Sequence, residues 1–481
     1  MKKLTINYFY NMLYQVLTLI IPIITAPYLA RTLQATANGI NNYTSSIVYW
    51  FTLIGMLGIT LYGNKEIAKV RDDKEKLSKK FWEIFILQFL SNLISLITFY
   101  VIFGIANVDY KTILLIQGLS IFSVMFDVSW FYYGMENIKR VTLRNIIVKI
   151  LSVISIFIFI KNPEDLALYV FLSVGFSILG QLILWLDLRH YIVFKKVHFK
   201  DAISHLKPSI LLFVPQIAIS IYSTLDKTML GMIVSDVAEV GFYSKAQQFV
   251  NMFLFVITSI GTVMMPRIVN LNANNQKEEG LRYVNNAFDL VMLLAFPMAF
   301  GLAAIAPYFI NWFLTPEFAK TSDLMMILCP MIIASSLTNV LGIQLLIPME
   351  KTKQYTQSVA ISAIVNFVLN LFLIKYFNSY GAAVSTIIAE YLVLIIQMIY
   401  TREYINFKSK ILPALKYMLF SVIMFFAMIL VGEKFGISFT TNLIQFVVGV
   451  IIYLILILVS KDKTAFKLFR MLKSFRRGAD A

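Results

Sequence analysis

Asp226 and Lys227 stand side by side in ISIYSTLDKTMLGMI (219–233), where almost every neighbour is apolar or small. If this stretch crosses a membrane, each charge costs roughly 2.5–3.5 kcal/mol near the bilayer centre on insertion scales. Charges kept at that cost bind an opposite charge, carry a proton or brace a neighbouring helix. Adjacent residues lie about 100° apart on a helix, so the two cannot pair as i,i+4 partners do. Lys227 continues a stripe with Gln216, Ser220 and Ser223, in steps of four, three and four, which turns it toward a polar path. Asp226 then points elsewhere, as a brace or a titrating group. Asp127 and Glu390 are further candidate proton sites inside apolar stretches, while Asp289 lies close to a predicted span end where water reaches it.

Other polar residues repeat at helical spacing. In the first predicted span Asn7, Asn11, Gln15, Thr18 and Thr25 share one face, and in the eighth Ser244, Gln247, Gln248, Asn251 and Thr258 do the same. Amides, Lys227 and the prolines Pro22, Pro27, Pro208 and Pro215 concentrate in spans one, seven and eight. Proline there leaves backbone groups that water or neighbouring helices must satisfy, so these three spans are expected to line a water-filled lumen. The eleventh span carries Ser358, Ser362, Asn366 and Asn370 at every fourth residue; for it the favoured role is gluing helices together.

The elements that must position these residues are membrane helices. The 481-residue chain is 59% hydrophobic and 14% charged, whereas soluble domains run near 45–50% and about 25%. Apolar runs of about twenty residues recur, each long enough to cross about 30 Å of hydrocarbon. The predicted spans are 7–29, 40–62, 82–104, 112–134, 142–160, 166–188, 209–234, 242–265, 284–306, 323–347, 354–376, 382–401, 413–432 and 440–460. No cleavable signal peptide is expected at the start. The single cysteine, Cys329, excludes an intramolecular disulfide and any cysteine-based metal cluster. His190, His198 and His205 lie in the basic stretch RHYIVFKKVHFKDAISHLK, which reads as an interfacial helix rather than a metal site.

Lys and Arg alternate across the links. Thirty-four of the 42 fall on the side of the N-terminus, among them the 65–80 loop, Lys139, Arg140, Arg144 and Lys149. Seven fall on the other side: Arg31, Lys111, Lys161, Lys245, Lys320, Lys375 and Lys434. The positive-inside rule then places both termini in the cytoplasm, which needs an even number of spans. The net charge of +16 thus faces anionic headgroups, with no concentrated patch for nucleic acid. The basic tail, with its interleaved aromatics, reads as a membrane-surface helix.

The chain also repeats itself. WFYYGMENIKRVTLRNIIVKIL (130–151) matches QLLIPMEKTKQYTQSVAISAIV (344–365), and LQATANGINNYTSS (33–46) matches IVSDVAEVGFYSKA, aligning Gly39 with Gly241. The expected fold is an all-α polytopic membrane protein of about fourteen helices: an N-lobe (1–203), a C-lobe (204–406), two further helices (407–460) and a cytoplasmic tail (461–481). Parallel repeats of this kind suggest a substrate path between two lobes, hence a transporter. No enzyme constellation, metal-ligand cluster or Walker-type phosphate loop is visible.

NMLYQVLTLIIPIITAPYLARTLQATANGINNY (11–43), followed by LGITLYGNKEIAK (57–69), resembles the opening of Wzx-type polysaccharide flippases, the oligosaccharidyl-lipid branch of the MATE-like MOP exporter superfamily. Pro27, Tyr28, Leu29, Arg31, Leu33 and Gly39 carry the first motif. LDKTMLGMIVSDVAEVGFYSKAQQ (225–248) resembles the seventh-helix signature through Asp226, Lys227, Leu230, Gly231, Val240, Gly241 and Tyr243. Ala37-Asn38-Gly39 departs from the family's bulkier turn. The resemblance spans essentially the whole chain. It implies alternating-access flipping of undecaprenyl-pyrophosphate-linked repeat units in the bacterial cytoplasmic membrane, without enzymatic activity or a bound cofactor. It also implies a cationic lumen, because a diphosphate needs charge compensation and donors. Lys227 and Arg31 are the candidates for phosphate or acidic sugar, and Gln15, Asn11, Gln247 and Asn251 for sugar hydroxyls. Coupling to a proton or sodium gradient would require a carboxylate among Asp226, Glu390 and Asp127. The polysaccharide polymerase and glycosyltransferases are candidate partners, beside membrane lipids. A multidrug exporter of the same superfamily and a lipid-linked peptidoglycan precursor flippase are the nearest rivals; a glycolipid polymerase would need a long catalytic outer loop.

Overall fold

The computed structural model describes residues 2–274 and 276–467, with side chains described throughout except at 2–9, at 11 and at positions within 214–223 and 260–273. The distal part of the basic tail (468–481) lies outside the described residues. The protein is 87% helical, with no strand among the described residues; a bilayer offers no water to an open backbone, so each spanning segment must satisfy its own hydrogen bonds. In chain order the helices are α1 (Lys2–Met56), α2 (Ile59–Val70), α3 (Lys74–Ile105), α4 (Lys111–Met125), α5 (Ser129–Gly134), α6 (Ile138–Phe159), α7 (Leu166–Leu188) and α8 (Phe199–Ser204). There follow α9 (Leu206–Ile233), α10 (Ala238–Ala273), α11 (Lys277–Phe313), α12 (Ala319–Leu328), α13 (Pro330–Thr338), a π-helix (Asn339–Leu346), α14 (Thr352–Thr401), α15 (Lys408–Phe435) and α16 (Phe439–Val459).

Among the described residues nine helices, or ten with the bent pair Pro316–Leu328 and Pro330–Leu346, are long and apolar enough to cross a membrane. Two of them are double: α1 turns at Gln34 (φ 60°) and α14 at Asn378 (φ 51°). Fourteen long helical segments are present. The side chains sort as a lipid solvent demands. On α16, Thr441, Gln445, Gly449, Tyr453 and Ile457, four apart, are buried, while Leu443, Phe446, Val447, Val450, Leu454 and Leu458 face outward.

The first motif of the sequence is the machinery of the turn at Gln34. Asn38 Nδ2 donates to the carbonyls of Leu29 (3.0 Å) and Gln34 (2.7 Å), satisfying oxygens that the break leaves without a helical partner. Tyr28 donates its hydroxyl to the Ile160 carbonyl at 2.6 Å, tying α1 to the end of α6.

By packing, the chain divides into two compact units, 1–231 with 235–241 and 232–234 with 242–481. α9 therefore packs almost entirely with the first unit, beyond the repeat boundary expected at 203/204. In that unit an aromatic core joins α2, α3, α5 and α7: Trp130 stacks on Phe81 with centroids 5.5 Å apart, and Phe85 meets Trp185 edge-on at 4.8 Å. Gly63 makes room for the indole, since a Cβ there would lie 2.5 Å from Trp130 Cε3.

Candidate functional site

Asp226 and Lys227 sit on α9. Asp226 is fully buried (0% exposed) and Lys227 is half-buried. The flank of α9 nearest Lys227 in helical angle is pinned to the second half of α1. Ser220 and Tyr49 share a hydrogen bond of 2.8 Å; Trp50 Nε1 donates to Thr228 (3.0 Å), whose hydroxyl donates to Ser46 (2.9 Å); and Gly231 lies against the Tyr43 ring. Lys227 makes no ion pair within 4 Å among the described residues. Its stripe partners Gln216 and Ser223 lie outside the described side chains, as do Asn7 and Asn11.

The other expected residues fall in both units. In the first, Arg31 is exposed and Gln15 half-buried, both on α1. In the second, Gln247 is buried and Asn251 exposed on α10, and Glu390 is buried on α14. Asp127 has a structural duty: its Oδ1 accepts from the backbone N–H of Ser129 (2.9 Å) and from its hydroxyl (2.6 Å), holding the turn that leads into α5. Asp289 meets Lys410 Nζ at 2.7 Å. The eleventh-span ladder is fully buried and bonds within α14: Gln397 donates to Ser358 at 3.1 Å, Asn370 to Asn366 at 3.3 Å, and Ser385 to Asn370.

His205 lies in a buried network. Its Nδ1 is 2.6 Å from the Tyr62 hydroxyl and its Nε2 is 2.9 Å from Glu83 Oε2, which also receives Lys80 Nζ at 2.7 Å. This joins the start of α9 to α2 and α3. Among the described residues no group of His, Cys, Asp or Glu is placed to hold a metal ion.

Two cations read from sequence as belonging to a cytoplasmic link lie inside the helical bundle instead. Arg144 and Lys149 are both on α6, six and eleven residues beyond Ile138, or about 9 and 16 Å along its axis. With Tyr14 of α1, Asn145 and Ser152 of α6, and Ser177 of α7 they line a cavity of about 250 Å³ in the first unit. Arg144 is 9% exposed; its Nη2 donates to Ser129 Oγ at 2.8 Å, while its Nε has no hydrogen-bond partner. Gly180 of α7 lets the guanidinium lie flat, because a Cβ there would meet Arg144 Cδ at 3.1 Å and Nη1 at 3.2 Å. Lys149 Nζ sits 6.0 Å from the Tyr14 ring centroid. Neither cation forms an ion pair within 4 Å among the described residues; Asp127 reaches Arg144 only through the Ser129 hydroxyl, so Lys149 in particular carries an insertion cost that no direct salt bridge offsets. The signal was present in the sequence: both residues fall within 142–160, too far in for Lys149 to be assigned to a loop.

A profile of polysaccharide biosynthesis proteins matches residues 4–272, and one of the lipid II flippase MurJ matches residues 140–457. The chain is 23% identical over 389 residues to a protein of Escherichia coli (strain K12) named as an O-antigen transporter, covering 80% of this chain and 93% of that one. Among solved structures it resembles the lipid II flippase MurJ in an inward closed conformation, with TM-score 0.71, 19% identity and coverage of 94% of this chain and 99% of that one. It also resembles an inward-facing multidrug resistance MATE family transporter of the MOP superfamily, with TM-score 0.59, 12% identity and coverage of 82% and 99%. This chain belongs to the polysaccharide biosynthesis protein family.

Proposed function

We propose that this protein is a flippase that carries lipid-linked oligosaccharide, with undecaprenyl pyrophosphate as the lipid anchor, from one leaflet of the bacterial cytoplasmic membrane to the other by alternating access. The observation that carries this is the match along most of the chain to polysaccharide-biosynthesis relatives, including one named for O-antigen transport. Arg144 and Lys149, which make no direct ion pair within 4 Å among the described residues, support it, because a diphosphate brings negative charge and acceptor oxygens. In this reading Lys227 and Arg31 meet phosphate or acidic sugar, and Gln15, Asn11, Gln247 and Asn251 meet sugar hydroxyls. The free energy comes from a proton or sodium gradient acting on Asp226 or Glu390, with Asp127 the weaker candidate because it already binds Ser129 at the entry to α5. Both termini lie in the cytoplasm, no reaction is catalysed, and the glycosyltransferases and polymerase act before and after it.

The test is reconstitution into vesicles with fluorescent lipid-linked oligosaccharide, scoring access of an external glycosidase to sugar that starts inside. Expected are movement above protein-free vesicles and at least tenfold slowing in Lys227→Ala and Arg31→Ala. No movement of oligosaccharide, with brisk movement of a lipid-linked peptidoglycan precursor, would transfer the assignment to the rival supported by the MurJ profile. Normal rates in both alanine variants would remove these two cations from the path.

A further inference from the structure

α6 presents two unlike faces. Ile147, Ile150, Leu151, Ile154 and Ile158 are exposed as lipid-facing side chains are, whereas Asn145, Lys149 and Ser152 lie on the other side and, with the buried Arg144, line a cavity shared with Tyr14 and Ser177. The cations are thus held between α1, α6 and α7 of the first unit.

The chemistry of the lining selects the ligand. Arg144 offers a planar fork already anchored at one end by Ser129 and carrying an Nε without partner; Lys149 adds a point charge with no hydrogen bond or ion pair of its own among the described residues. Asp127 reaches Arg144 only through the Ser129 hydroxyl, which donates to the carboxylate and accepts from the guanidinium. The pocket is left net positive and ringed by hydroxyl and amide groups, a set that matches an anion with several acceptor oxygens beside sugar. At about 250 Å³ its volume far exceeds the roughly 10–15 Å³ that a single water needs.

We infer that the Arg144–Lys149 pocket is a seat within the first unit for the diphosphate linkage of the transported lipid. This rests on the flippase reading above and names a binding site for its cargo apart from Lys227 and Arg31. Bulk anionic lipid offers the same phosphate chemistry, so the experiment must separate the two sources.

The full-length protein in nanodiscs is titrated with farnesyl diphosphate, farnesyl phosphate and farnesol, reading tryptophan fluorescence. Lys149→Gln is expected to weaken diphosphate binding about tenfold or more, the worth of one charge-assisted hydrogen bond, and to leave farnesol unchanged. Arg144→Gln should do the same and Arg144→Lys should recover part of the loss. If Arg144→Gln fails to fold, Lys149→Gln still decides, since Lys149 makes no hydrogen bond or ion pair among the described residues whose loss would disturb the fold. Inorganic diphosphate is expected to compete, and phosphatidylglycerol in the disc is not. Competition by phosphatidylglycerol as strong as by diphosphate would overturn the cargo assignment in favour of a lipid headgroup site. Unchanged diphosphate affinity in Lys149→Gln and Arg144→Lys, with normal oligosaccharide movement by the wild type, overturns the pocket alone. A wild type that neither binds diphosphate nor moves oligosaccharide overturns the flippase reading with it.

Discussion

Gln88 holds the interruption in the fourth span together, and replacing it by leucine should be costly out of proportion to its size. The span breaks between α4 and α5, where the carbonyl of Val124 keeps only a tight turn bond from the Asp127 N–H and those of Met125 and Asp127 have no backbone partner outside the helices. The Gln88 Nε2 lies 3.1, 3.2 and 2.9 Å from them, and its Oε1 accepts from Trp130 Nε1 at 2.8 Å. Gln88 is fully buried, so no water replaces it. Its two amide hydrogens are shared over three carbonyls, which with the indole bond makes about three effective hydrogen bonds. In membrane proteins such bonds average about 0.6 kcal/mol with a maximum near 1.7. Gln88→Leu should therefore cost about 2–5 kcal/mol, a shift of thirtyfold or more in the unfolding equilibrium. SDS titration of the protein in mixed micelles, followed by tryptophan fluorescence, measures this directly. Because the same break carries Asp127 and Ser129, which anchor Arg144, diphosphate affinity should fall as well. A cost below about 0.5 kcal/mol would refute the reasoning, since the carbonyls would then be satisfied without the amide.

Three further outcomes follow from packing and charge. Gly39→Ala should destabilise the protein by about 1–3 kcal/mol, because its new Cβ would press on the Val237 carbonyl, which is backbone and cannot swing away; an unchanged melting temperature would show that the contact opens freely. His205→Ala should cost about 1–3 kcal/mol by leaving Tyr62 and Glu83 without their shared partner, and limited proteolysis should cut more readily at the α8–α9 junction. At Asp462, burial pushes the carboxyl up, but the Lys416 ammonium, the Ala465 N–H and the Tyr417 hydroxyl outweigh it and hold the group below its ordinary value of 3.8. Its stabilisation is thus fully present above pH about 4 and lost as pH falls through the lower folded value. Asp462→Asn should be about 1–3 kcal/mol less stable at pH 7, with the gap closing below pH 4; a gap that persists at pH 2 would exclude the carboxylate as its source.

The repeat was legible because it is a repeat of backbone geometry. The matched Met-Glu pairs place Glu136 and Glu350 at φ 53° and 60°, both in the left-handed region that costs a non-glycine residue energy. The offset that carries Met135 onto Met349 also carries the Phe126–Val128 break into the π-helix Asn339–Leu346, so the two units interrupt the same span in different ways. Gly39 and Gly241 are paired as well: Gly39 approaches Val237, and Gly241 approaches the Ala35 carbonyl at a distance a Cβ would make 2.7 Å. The offset that aligns the glycines aligns Ala35 with Val237, so each repeat presses on the equivalent residue of the other. Glycine appears at both positions because neither backbone leaves room for a side chain.

The site was harder to read, and the reason lies in how charges are assigned to loops. Counting cations by link supposes that a Lys or Arg near a span end turns its stem to the nearer interface, as long side chains do when nothing holds them. Lys139 and Arg140 obey: both lie in the first turn of α6, and Arg140 pairs with Asp187 at 3.1 Å. Arg144 does not, because Gly180 gives it a flat bed and Ser129, whose hydroxyl Asp127 holds, gives it an anchor. None of these three residues is near Arg144 in sequence on its own helix. The sequence therefore displayed the cations of α6 while concealing the three partners, on two other helical segments, that turn them inward; only folding brings them together. The same holds for Asp127, where an intramembrane carboxylate read as a proton site is already engaged with the Ser129 N–H and hydroxyl. Charge inside a span marks a position that does work, and the identity of that work is set by neighbours that spacing along one helix does not reveal.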